Sequence, residues 1–460
     1  MPPAAAQDPR PDDRRAGRTS RPVAGSAAVA AALAILGATL APGDPRVLQP
    51  TPLSCLVCGS IGSVDVVLNL LLFAPFGAAV GWLTGRWWPA LLAGLLLSLC
   101  VEAAQLLLVR ARDASLSDLL FNSVGATAGA LVVLHRRGWL HPAPAAAARL
   151  AVLAAIGWAA ALVLTARGLE LLVPAPPYLV NVIAPDALGA ARPYEGTVLR
   201  SRVLGIDAPM PRPRGRPRTI VAPASAVPPL TIEAEAHAML PPGMLRPLGS
   251  LHAPGGTELL LLGQRERALL LRVRTRGTAA RFQTPTAALD DAFPPAAEIP
   301  PGDDPSRGPV VEVRGEVTRH ALRLSSTWGG RTREAAMPRS PLVGWTFFGV
   351  YGLRYGRWGG LTTALWVFAL VLPGAFWAAR AAPSRGGAAR RGPSWLTAGH
   401  AAAVLATMAL VPLLHDLAAP HPLDWAAALL SLAVGWGAAR VGRHAADGTG
   451  GRDARPRRGT

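Results

Sequence analysis

SVDVVLNLLLFAPFG, residues 63–77, and LLLSLCVEAAQLLLVRARDASLSDLLFNSVGATAGALVVL, residues 95–134, decide how this chain folds. They read as three helix-length apolar segments that nevertheless carry Asp65, Asn69, Glu102, Gln105, Arg112, Asp118 and Asn122. Hydrocarbon excludes such groups unless they face one another or water. Asp65 and Asn69 lie four apart, Glu102 and Gln105 three apart, and Asp118 and Asn122 four apart. On helices each pair therefore shares one face, with Cβ atoms about 5–6 Å apart. If each segment crosses the membrane once, Asp65 opens one helix, Glu102 falls in the last third of the next and Asp118 opens the third. All three pairs then gather toward one leaflet. Arg112, in the short connection beside them, is placed to pair bidentately with a carboxylate or an anionic ligand.

Taken in order, Asp65, Asn69, Phe73, Pro75, Gly77, Glu102, Gln105, Arg112, Asp118, Asn122 and Gly125 resemble the pattern of the VanZ-like membrane family. That pattern is Asp, Asn and Phe-x-Pro-x-Gly on one helix, then Glu-x-x-Gln, an Arg, and Asp-x-x-x-Asn-x-x-Gly. The resemblance covers at most residues 23–140 and implies a link to the cell envelope and, for some members, to glycopeptide antibiotic resistance. The family often has another acid between the Arg and the last Asp, where this chain has Ser115.

Composition agrees with a membrane protein. Of the 460 residues, 51% are hydrophobic, too many for a soluble enzyme with one greasy helix. The net charge of +18 is carried by arginine alone and reads as topology, because no basic and aromatic nucleic-acid module accompanies it. Three cysteines cannot build a disulfide framework. Cys55 and Cys58 form a C-x-x-C without the strand and helix context of a redox site, and Cys100 reads as lipid-facing or core filler. Nothing in the sequence calls for a cofactor or a metal site.

In chain order, residues 1–22 read as a disordered N-terminus. Residues 23–41, 65–83, 87–109 and 116–134 read as four spans of the VanZ-like domain (23–140), and residues 149–166 as a fifth. From 170 to 340 the apolar runs shorten and are broken by Pro, Gly and charge, which is strand patterning. Strands are expected over 197–206, 230–237, 258–263, 268–275, 310–317 and 320–327, with exposed loops at 211–218 and 285–309. Asp290, Asp291, Asp303 and Asp304 fall in the second loop and read as solvated. The stretch beginning LTIEAEAH (230–237) is similar to the core of laminin-G-like and concanavalin-like sandwiches over about 195–340. An aromatic segment at 341–358 suits the membrane interface. Spans at 361–379, 398–414 and 423–439 form a C-terminal trio within 361–442, with no evident site, before a disordered basic tail at 443–460. Gly125 and Gly129 make a G-x-x-x-G suited to close helix packing.

The expected fold is thus a polytopic α-helical membrane protein of about eight transmembrane helices with an inserted all-β, jelly-roll-like sandwich. Arginine bias places both termini in the cytoplasm and the sandwich outside the inner membrane. Two functions compete. One is a binding site for an anionic or polyprenyl-linked envelope lipid, formed by Asp65, Asn69, Glu102, Gln105, Arg112, Asp118 and Asn122, with the sandwich recognising an envelope glycan or protein. The other is a membrane enzyme in which Glu102 is the general base and Asp65 or Asp118 holds a divalent cation. Interhelical glue and a transporter's proton path remain as further readings of the same residues.

Overall fold

The computed structural model describes residues 11–40, 56–57, 59, 61–108, 115–172, 178–181, 194, 196–208, 219–220, 228–239, 243–253, 257–300, 306–349, 354–381 and 395–450. The chain divides into two compact units, Met1–His141 and Pro142–Thr460. Among the described residues, eight helices are long and apolar enough to cross a membrane: Pro22–Thr39, Gly62–Thr84, Trp88–Leu107, Leu116–Leu134, Pro144–Gly168, Gly359–Arg380, Trp395–Leu414 and Pro422–Val441. At most 39% of the residues in any of them are buried within the protein, so most of their leucine and valine surface faces outward, as lipid requires.

The first unit contains α1 (Pro11–Thr39), α2 (Gly62–Thr84), α3 (Trp88–Leu107), α4 (Leu116–Leu134) and the short α5 (Arg136–Leu140). Helix α1 starts inside the segment expected to be disordered. The Ala-rich run in its second half propagates it. Helices α2 and α4 press backbone against backbone. A Cβ at Gly77 would fall inside the carbonyl of Ala126, and one at Gly129 inside that of Ala74. At Gly125 it would stand 2.5 Å from the Leu70 oxygen, and at Gly81 2.7 Å from the Ala130 Cβ. Two interlocking G-x-x-x-G steps, Gly77/Gly81 and Gly125/Gly129, therefore set the spacing of the unit. Phe73, Phe76, Ile35 and Val101 fill the core beside this seam. Cys100 faces outward from α3, and Cys55 and Cys58 lie outside the described residues. Trp82, Trp87 and Trp88 stand exposed where α2 passes to α3, as an interfacial aromatic belt does.

The second unit opens with α6 (Pro144–Gly168) and continues, among the described residues, into twelve strands, with the short α7 (Arg276–Ala279) between the eighth and ninth: β1 (Tyr178–Asn181), β2 (Val198–Val203), β3 (Ile206–Asp207), β4 (Thr219–Ile220), β5 (Leu230–His237), β6 (Arg246–His252), β7 (Glu258–Arg265), β8 (Ala268–Val273), β9 (Thr286–Leu289), β10 (Val310–Val317), β11 (Ala321–Trp328) and β12 (Arg331–Pro338). They form two six-stranded antiparallel sheets, in the orders β4-β1-β6-β7-β8-β9 and β12-β11-β10-β5-β2-β3. Strand β5 alternates buried and half-buried residues along its length, so one face packs and one is wet. In β8, Ala268–Leu271 are buried on both faces and alternation begins at Arg272.

Several sequence expectations are corrected here. The expected strand 197–206 is broken at Leu204 and Gly205, whose φ angles of 53° and 76° turn the chain back into β3. The 285–309 stretch is not an exposed loop throughout: it contains β9, and Ala287, Ala288, Leu289, Ala292 and Phe293 are buried. Asp291 pairs with Arg267 at 2.7 Å, and Asp290 accepts from the Arg357 backbone N–H, so neither is merely solvated. Asp303, Asp304 and the 211–218 loop lie outside the described residues.

After the sandwich, the 3-10 segment Pro341–Phe348 leads to α8 (Gly359–Arg380), α9 (Trp395–Leu414) and α10 (Pro422–Gly450), the last extending into the tail expected to be disordered. Within the aromatic segment, Trp345 and Phe347 are buried and Trp358 is exposed. Trp345 stacks on Tyr355 and donates to Thr363 Oγ1 at 3.0 Å, which makes it packing rather than interface. Tyr351 lies outside the described residues. One hydrophobic core runs through Trp158 and Leu162 of α6, the sandwich, Val367 of α8 and Val404 of α9. Buried Arg339 fastens this assembly: its guanidinium donates to the carbonyls of Thr318, Arg319 and Leu169 at 2.9, 2.8 and 2.7 Å. Burial pushes its pKa down to about 10, which leaves it charged at neutral pH.

The glycine seam yields a direct expectation. Gly77→Ala or Gly129→Ala must separate α2 from α4 and should cost about 1–3 kcal/mol. Gly157→Ala, where a Cβ meets nothing within 4 Å, should be neutral or stabilising. Thermal unfolding of the detergent-solubilised full chain, read by circular dichroism, distinguishes the two.

Candidate functional site

The polar side chains of the first unit meet at the end formed by the C-termini of α1 and α3 and the N-termini of α2 and α4. Each helix end leaves backbone groups without intrahelical partners, and here side chains from neighbouring helices reach them. Glu102 of α3 accepts from the backbone N–H of Ser115 at 2.8 Å, just ahead of α4. Ser115 itself caps α4, its Oγ accepting from the Ser117 N–H at 3.1 Å. Gln105 of α3 donates to the carbonyl of Thr39, the last residue of α1, at 3.0 Å. Asn69 of α2 donates to Asp118 Oδ1 at 2.7 Å. Asp118 stands in the first turn of α4, where the helix dipole favours a carboxylate.

Of the seven residues singled out by the sequence, six are described, and they separate into three groups. Asn69, Asp118, Glu102 and Gln105 bind the four helices to one another at this end. Asn122 points deeper: its Nδ2 donates to Ser98 Oγ at 2.9 Å, while its buried Oδ1 has no hydrogen-bond partner. Asp65 is exposed at the start of α2, and Arg112 lies outside the described residues. Sequence reasoning missed Ser98 and Thr39, and it noted Ser115 only as standing where the family often has an acid. Ser98 had a signal, since it lies four residues before Glu102 and so extends the Glu102–Gln105 stripe by one turn.

Chemically the cluster is rich in acceptors. Glu102 and Gln105 are 8% and 6% exposed, and each spends one polar atom on its helix-end partner. Among the described residues, no second donor reaches Glu102 Oε1 and none reaches Gln105 Oε1. Glu102 and Asp118 bring two carboxylates to this same end of the unit. A positive or hydrogen-donating group placed between them is favoured, whereas another anion is not. Among the described residues, no three His, Cys, Asp or Glu side chains come together as metal ligands.

The sandwich offers a second polar surface. The outward face of β5, β10, β11 and β2 forms a shallow groove lined by Arg200, Arg202, Glu233, Glu235, Glu312 and Arg314. Arg314 pairs with Glu233 at 2.7 Å and Arg202 with Asp207 at 2.9 Å. Glu312 and Glu235 stand directly opposite each other across the strands, a like-charge pair that costs stability.

Removing the Glu102 carboxylate strands the half-buried Ser115 N–H. Glu102→Ala should therefore lower stability by about 1–3 kcal/mol, while Glu102→Gln, which keeps an oxygen at the same position, should lose much less. Guanidinium-free thermal melts of both variants in the same detergent check this.

Residues 34–137 match the family model of VanZ/LLP1. The match spans well under half of the chain and contains the end of α1 and all of α2, α3 and α4. No curated protein and no solved structure matches the chain. The glycine seam and the polar helix ends described above are thus the structure of a VanZ-like segment within a larger multi-pass membrane protein.

Proposed function

We propose that the VanZ-like segment binds the head group of an envelope lipid, anionic or polyprenyl-linked, at the polar end of α1–α4. The observation that carries this reading is the buried Glu102 carboxylate, which accepts one backbone N–H and has no second donor among the described residues. Hydroxyl groups of a lipid-linked sugar are donors of that kind. Gln105 and Asn122 supply further carbonyl acceptors, and in this reading Arg112 takes the phosphate. The link to glycopeptide resistance that the VanZ-like resemblance implies is carried, in this reading, by that lipid.

Arginine bias supports an orientation with both termini in the cytoplasm and the sandwich on the outer side of the inner membrane. The sandwich then faces envelope glycan or protein, and its groove of Arg and Glu side chains suits a polar partner. A second reading has its own support: Asn69–Asp118, Glu102–Ser115 and Gln105–Thr39 are interhelical contacts of the sort that hold membrane bundles together without any ligand.

Native mass spectrometry of lipids retained by the purified full chain separates the two. Wild type should carry a specific envelope lipid, and Arg112→Ala and Glu102→Gln should each retain at least about tenfold less of it, a difference of about 1.4 kcal/mol or more. Equal lipid retention in variants of unchanged melting temperature would discard the lipid site and leave the glue reading.

A further inference from the structure

The sandwich meets the membrane helices at a basic surface. Helix α6 ends at Gly168 and α8 starts at Gly359, and four exposed arginines, Arg167, Arg276, Arg281 and Arg357, stand around those two ends. Aromatic rings fix their level. A Cβ at Gly168 would lie 2.9 Å from the Phe347 ring, and one at Gly277 of α7 would run into the same ring, so α7 sits against the end of α6. The Arg276 N–H also donates to the Glu170 carbonyl at 2.9 Å. Phe282, beside Arg281, meets Phe347 and Phe348 edge-on at 6.2 and 5.7 Å between ring centroids. Phe348 in turn lies 6.3 Å from Trp366, about two turns into α8. The residues around Phe282 are therefore level with the first turns of a membrane-spanning helix, and exposed Trp358 just ahead of α8 marks the interface there.

Guanidinium groups are in excess on this surface. Arg167 and Arg276, both 62% exposed, share one carboxylate, that of Glu170, at 3.2 and 2.7 Å. His415 Nδ1 lies 3.9 Å from the same carboxylate. Asp290 has Arg354 at 4.0 Å and accepts the Arg357 backbone N–H, while the Arg357 guanidinium lies over the Trp358 ring, 5.5 Å from its centroid. The Arg281 side chain has no carboxylate and no hydrogen-bond partner among the described residues. At head-group depth the anion that meets such groups is lipid phosphate, whose oxygens a guanidinium binds bidentately.

We propose that this arginine surface binds the phosphates of anionic phospholipids in the leaflet from which the sandwich rises. Arg281 and Arg357 take phosphate directly. Arg167 and Arg276, only partly neutralised by Glu170, add to the field that selects a net negative head group over a zwitterionic one. The surface lies wholly within the second unit and does not depend on the reading of the VanZ-like segment.

A photoactivatable amino acid in place of exposed Ala280, next to Arg281, tests this in the full chain reconstituted into vesicles of equal parts phosphatidylglycerol and phosphatidylcholine. Mass spectrometry of the adducts should find phosphatidylglycerol about fivefold over phosphatidylcholine. Arg281→Gln combined with Arg357→Gln, both at exposed positions, should bring the two lipids to parity at unchanged melting temperature. Arg331→Gln, in the turn at the far end of β11 from the Arg319–Asp416 contact, should leave the preference as it is. The proposal is overturned if the lipids add in proportion to their abundance, if the paired substitution leaves the preference intact, or if the probe adds to protein and water alone.

Discussion

Hydrocarbon cannot solvate a carboxylate, an amide or the open end of a helix, and the first unit is arranged around that constraint. Its polar side chains do not sit at random depth. They cluster where four helix ends come together, so that Glu102 and Gln105 meet backbone groups that the helices cannot satisfy themselves. This works only because α2 and α4 approach closely enough for Asn69 to reach Asp118. That approach depends in turn on Gly77, Gly81, Gly125 and Gly129, where side chains would push the two backbones apart. Small residues set the spacing, the spacing lets polar ends meet, and the meeting leaves acceptors open toward one side.

The second unit answers the same constraint with a different device. Its sandwich and its helices share a core, and the junction between them is closed by Arg339, which satisfies three backbone carbonyls at once. A planar guanidinium with five donors suits that position, whereas a lysine would reach them as a single point. Nearby, exposed Asp416 accepts from Arg319 at 2.9 Å, and this bond holds its carboxyl below the usual range. His400 breaks the rule of satisfied polar groups, which is why it stands out among the C-terminal helices.

The membrane helices were legible because length and hydropathy alone specify a span, and β5 and β10 because their alternation is regular. Other elements gave no such signal. Strand β6 reads RPLGSLH, in which Pro247 and Gly249 mimic a loop, and both coincide with an irregular register against β7. Strand β12 reads RTREAAMP and borders solvent at the sheet edge, so it lacks an apolar stripe; its turn, Gly329–Gly330 with φ of 56° and 72°, was the better clue. Within the site, the polar pairs were visible from spacing, but their partners were not. Thr39 and Ser115 contribute backbone atoms, which any residue carries.

The central claim is that the polar helix ends of the VanZ-like segment face a lipid head group rather than only one another. A photoactivatable amino acid in place of exposed Asp65, irradiated in intact native membranes, tests it most directly. The account predicts a covalent adduct carrying an envelope lipid, formed in the wild-type background and lost when Glu102 is changed to Gln. Cross-links to protein alone, at the same yield with and without Glu102, would contradict it.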